Sequence, residues 1–153
     1  MYGGAPRSDR DRRSQEQLVA RPTVDVQMVM TRGASKEMID QAEALGRYLA
    51  RAGLATAQIR NIFGTVRQIE MTWHSKATPE DIAKAKRQLI MLKPKMAYQA
   101  KREQSKSRGV QDLAEVLSPA IDLVGDDRAR FQNFVDFFEA ILAYHTAEGG
   151  RNQ

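Results

Sequence analysis

From Ser35 onward the apolar residues return every three or four positions, and that period decides the fold class. Ile59, Ile62, Phe63, Val66, Ile69 and Trp73 lie on one face of a 3.6-residue helix. Phe131, Phe134, Val135, Phe138, Ile141, Leu142 and His145 repeat the pattern, and Met38, Ala42, Leu45 and Leu49 form a third stripe. The punctuation agrees with the period. Ser35 stands where an N-cap belongs, and Gly53 closes the first helix. Thr56 is placed to cap the second. Thr78-Pro79-Glu80-Asp81 combines a cap, a proline at the first helical position and acids in the first turn. SKSRG (105–109) breaks the third helix. A fourth is expected over 110–124, bent or restarted at Ser118-Pro119. A fifth covers 127–146 and stops at Gly149-Gly150. The fold expected is all-α: a small bundle of about five helices over 35–148, with a tail at 149–153. Residues 1–34 read as a flexible or extended N-terminal arm, since Gly3, Gly4, Pro6 and SDRDRR bury little. Within it TVDVQMVM (23–30) alternates like a strand and is expected as an extended segment on the surface.

At 153 residues the chain suits one domain with a modest core. It has no cysteine, so disulfide, thiolate-metal and cysteine-nucleophile chemistry are excluded and a cytoplasmic location is favoured. No apolar run approaches a membrane span, so no membrane partner is expected, and the arginine-rich start lacks the apolar stretch of a secretory signal. There is no glycine-rich phosphate loop. The two histidines, His74 and His145, are far apart and form no HExxH pair. His145, on an apolar stripe, reads as a core histidine. The acids of 112–139 have the spacing of an exposed helix face. These absences point away from an enzyme, a metal site or a cofactor.

The charge is unevenly sorted. The net charge is +5 and the isoelectric point is about 9.7, which leans toward a polyanionic partner. Residues 84–108 hold nine basic and one acidic side chain; residues 109–148 hold two and eight. On a helical wheel Ile82, Ala85, Leu89, Leu92, Met96 and Ala100 make the core stripe. Lys84, Arg87, Lys95, Tyr98 and Arg102 line the other side. Pro94 should bend this helix, and a bent basic edge suits a phosphate backbone. A merely solvated face usually mixes signs in i,i+4 pairs; here Glu103 is the only acid, so a partner is expected to supply the negative charge. Arg60 and Arg67 share an edge of the second helix with Gly64 between them. That glycine reads either as a packing residue or as a place where an outside backbone comes close. Tyr98 reads as a packing or hydroxyl-bonding residue rather than a stacking platform. The acidic stretch is a candidate to face a neighbouring copy's basic edge.

Three stretches, IRNIFGTVRQIE (59–70), LKPKMAYQAKR (92–102) and FQNFVDFFEAILAYH (131–145), together resemble the small subunit of the type III-A CRISPR effector, the Csm complex. The resemblance spans residues 35–148 and leaves the arm outside. It implies a non-catalytic helical bundle whose copies stack as an inner filament beside guide-RNA-bearing backbone subunits and a large subunit. It also implies contact with target RNA and the guide–target duplex through basic side chains, without sequence readout. Carried over with the motifs, the RNA-binding residues are Arg60, Arg67, Lys93, Lys95 and Arg102. Lys84, Arg87 and Lys101 join them from the wheel and the local charge. The family often has glycine where Lys101 precedes the arginine. The rival reading of the same face is a helical structural or adaptor protein that binds an acidic protein partner.

Overall fold

The computed structural model describes residues 20–149. Among them the chain forms six α-helices and no strand: α1 Val26–Arg32, α2 Lys36–Arg51, α3 Thr56–Thr72, α4 Pro79–Glu103, α5 Gly109–Val124 and α6 Arg128–Ala147. The five expected helices are present, and the all-α class holds.

Three local expectations are corrected. The strand-like run 23–30 is helical from Val26. The Asp25 carboxylate accepts from the Met28 N–H, and Gly33 ends the helix at φ 71° with its N–H donating to the Val29 carbonyl. Val29 and Met30 are buried. The i,i+4 placement of Val26 and Met30, with the cap, therefore wins over the period-two alternation. Thr56 does not cap α3. The cap position is Ala55, which makes no side-chain bond, and Thr56 is the first helical residue, its hydroxyl buried without a partner. Pro119 neither breaks nor restarts α5, which runs unbroken through it. Pro119 is exposed, while Val116, Leu117, Ala120 and Ile121 around it are buried, so packing holds the turn that lost one hydrogen bond. The other two expected caps hold: Ser35 accepts from Met38 N–H and Thr78 from Asp81 N–H. The structure adds a third at Asp127, which accepts from Ala129 and Arg130 N–H. The expected arm and tail fall largely on residues 1–19 and 150–153, outside the described residues.

The core is built around α6. All five phenylalanines are buried, and four of them, Phe131, Phe134, Phe137 and Phe138, come from this helix. Trp73 stacks on Phe131 with ring centroids 4.9 Å apart, and Phe63 meets Phe138 edge-on at 5.1 Å. Such pairs add about 0.5–1.5 kcal/mol beyond area burial. Helices α1, α2, α3 and α5 all pack on α6, while α4 packs on α3 and α5 at the rim. α2 approaches α6 closely because Gly46 has no side chain: a Cβ there would lie 2.6 Å from the Ile141 carbonyl oxygen. A buried carboxylate locks α2 to α5. Tyr48 donates to Asp112 at 2.7 Å, and its phenol is pushed up to about 12 by burial and by that bond. The rim position of α4 leaves one long edge of it facing out.

Candidate nucleic-acid interface

α4 buries Ala85, Leu89, Leu92 and Met96, as the wheel places them, with Ile82 and Ala100 packed partly against the core. Pro94 lies inside the helix without ending it. With the core stripe fixed, the cations of α4 divide into two sets.

One set is spent inside the chain. Lys86 pairs with Asp126, and the Lys93 ammonium sits 2.6 Å from Asp122 at the end of α5. Both lysines lie on the flank that leans toward α5. The other set is Lys84, Arg87, Lys95, Lys101 and Arg102. All five are exposed, and none has an acid partner among the described residues. Lys84, Arg87, Lys95 and Arg102 share one edge of the helix. The first and last of them are 18 residues apart, a rise of about 27 Å along the helix.

A cleft of about 470 Å³ opens between α3 and α4 beside the C-terminal part of this edge. Ile62, Leu92 and Met96 belong to its wall, with Met91, Pro94 and Tyr98. Its polar members are Asn61, Thr65, Lys95, Gln99 and Arg102. A smaller depression shares Thr65, Met91 and Lys95 with it and reaches Gln68, Gln88 and Arg87. A third, at Ala83, Lys84, Arg87 and Gln88, continues toward the start of α4. The unpaired cations thus stand along a run of concave surface.

The two arginines of α3 stand apart from that run. Arg67 bonds Glu70 at 2.7 Å and Glu139 at 2.9 Å, and its guanidinium lies 4.8 Å from the Phe63 ring centre. It ties α3 to α6. Arg60 is exposed and has no acid partner among the described residues. Its charge reaches His145 on α6, where it adds to burial in lowering the imidazole pKa. Gly64 between them packs against nothing: a Cβ there meets no atom within 4 Å. The packing explanation for this glycine is therefore removed.

Tyr98 also departs from expectation. It is 65% exposed, and its hydroxyl makes no hydrogen bond among the described residues. Sequence reasoning missed Met91, Asn61 and Gln99 as groove residues. The wheel does hold the first of these, since Met91 falls among the cations of the edge.

The acids of 109–148 are occupied at home. Asp112 accepts from Tyr48, and Glu115 faces Arg21 and Arg108. Asp122 and Asp126 hold the α4 flank, and Asp127 caps α6. Asp136 accepts from Gln132, Glu139 holds Arg67, and Glu148 holds Arg47 and Arg51. Each carboxylate has a polar partner within the chain, while Asp122, Asp126, Asp127 and Glu139 stay more than half exposed. Among the described residues no three of His, Cys, Asp or Glu come together as a metal site, and no helix is long and apolar enough to cross a membrane.

A family model described as Csm2 Type III-A matches residues 33–151. No curated protein and no solved structure matches the chain.

Proposed function

The chain belongs to the Csm2 Type III-A family, the small subunits of the type III-A CRISPR complex, and from that membership we propose that it is the complex's non-catalytic RNA-contacting subunit. The observation that carries this reading is the division of the α4 cations. Asp126 and Asp122 of the same chain pair with Lys86 and Lys93, while Lys84, Arg87, Lys95 and Arg102 on the outer edge have no such partner among the described residues. Like charges along one edge repel, and a phosphate backbone relieves the repulsion while releasing its own counterions. Lys101 adds charge beside that edge, and Arg60 is a further cation without an acid partner among the described residues, on α3. Arg67 and Lys93 contribute through the fold, by fixing α3 on α6 and α4 on α5. Contacts of this kind position a strand without reading it; base pairing with the guide supplies the sequence specificity. Copies of the chain stack beside the backbone subunits and the large subunit, so that successive edges follow the target RNA and its duplex with the guide. The chain itself cleaves nothing.

The test is made on the complex purified from its cell through a tag on this chain. With Lys95→Glu and Arg102→Glu together, the other subunits co-purify in unchanged ratio and capture of target RNA falls. If instead the reversals leave RNA capture intact and release a protein subunit, the edge is a protein-docking surface and the adaptor reading replaces this one.

A further inference from the structure

We propose that the cleft between α3 and α4 receives one unpaired RNA base, stacked on the ring of Tyr98; this rests on the RNA-binding reading above. Every Phe and the single Trp are buried in the core, whereas Tyr98 is 65% exposed. Its hydroxyl has no partner among the described residues, so the fold gives this ring no task. Met91, two turns earlier on the same edge, is 53% exposed. The two side chains, with Pro94, add an apolar surface to a cleft walled by Ile62, Leu92 and Met96.

The surroundings select the occupant. Lys95 and Arg102 bracket Tyr98 at three residues before and four after, on the same edge and without acid partners. They stand about 10 Å apart along the axis, placed to grip phosphates on either side of a nucleotide. The Asn61 and Gln99 side-chain amides line the same cleft and make no hydrogen bond among the described residues. An amide offers both a donor and an acceptor, which is what the edge of a base requires. The carboxylates of an acidic peptide would satisfy the cations without covering the ring or Met91. A base covers both, and stacking on an aromatic face tolerates any of the four bases.

Binding of the purified full-length chain is measured at one low salt concentration against three RNAs of equal length: an unstructured single strand, a perfect duplex and a duplex with a single-base bulge. Tyr98→Leu is expected to weaken binding to the single strand and the bulged duplex by about five- to a hundredfold. It leaves the perfect duplex unaffected, and Tyr98→Trp binds all three as the parent does. Leucine is a good helix former and the site is exposed, so the circular dichroism is unchanged. Equal binding of Tyr98→Leu and parent to all three RNAs, or equal loss on all three, overturns the base site. Lys95→Glu with Arg102→Glu separates the two readings. If that variant loses all three RNAs while Tyr98→Leu loses none, the basic edge stands and the base site falls. If it loses none, both fall.

Discussion

Lys93 and Lys95 are two residues apart on one helix and meet opposite surroundings. The first is held 2.6 Å from Asp122; the second is exposed beside a cleft without an acid partner. Sequence offers both as candidate RNA ligands and cannot tell them apart, because a motif preserves residue type and not the neighbour across the bundle. Arg67 shows the same limit: its partners Glu70 and Glu139 come from two helices, and only the first is near in sequence. His145 was legible, since a histidine on an apolar stripe belongs in the core, and it is fully buried there. Its Nε2–H donates to the Leu54 carbonyl at 2.6 Å, and Nδ1 is buried without a partner. Burial is the main cause that lowers its pKa, so the folded state favours the neutral ring. Protons then bind the unfolded chain first, from its ordinary value near 6.5 downward. Stability is therefore complete above about pH 6.5 and falls as the pH drops through that value toward the lowered folded pKa. A melting-temperature series between about pH 8 and 5 should be flat and then decline. His145→Gln, which keeps a donor for Leu54 but cannot titrate, should lose the step. An undiminished decline in that variant would assign it to other groups.

At the scale of the helix, two glycines make opposite predictions. Gly64 lies in the middle of α3, and an added Cβ meets no neighbour. Gly64→Ala should therefore raise stability by about 1 kcal/mol in urea unfolding. Gly46 lies in α2 against α6, where the added carbon would meet the Ile141 carbonyl oxygen at 2.6 Å and the His145 backbone nitrogen at 2.9 Å. Gly46→Ala should lower stability by about 1–3 kcal/mol as the helices part. A loss at Gly64, or no change at Gly46, would contradict this packing. The helices themselves were largely legible, because long stripes with strong caps such as Thr78-Pro79 leave little choice. The errors fell where local signals competed. The seven residues of α1 are too few for a helical period to outweigh alternation, and only burial of Val29 and Met30 against the bundle decides the case. Pro119 reads as a break until the buried residues around it are known. The stripe of α4, 25 residues with one proline inside, kept its phase well enough to sort core from edge.

Across the whole molecule, the charge surplus is a matter of placement more than of total. The chain carries +5, yet the acids of 109–148 are matched to cations or polar groups of the same chain, and what is left unmatched on α4 lies on or beside its outer edge. Sequence showed that segments 84–108 and 109–148 have opposite sign. It could not show that Lys86 and Lys93 spend part of the first on the second, because that depends on how α4 lies on α5. The direct test compares two variants of identical net charge by the salt dependence of their affinity for single-stranded RNA. Lys95→Gln with Arg102→Gln removes two cations from the edge; Lys86→Gln with Lys93→Gln removes two from the paired flank. Each phosphate contact adds about −0.7 to the slope of log affinity against log salt. The expected result is a slope shallower by about 1.4 for the edge pair and unchanged for the flank pair. Equal slopes for the two variants would mean that RNA responds to the total charge and that the α4 edge is not its binding surface.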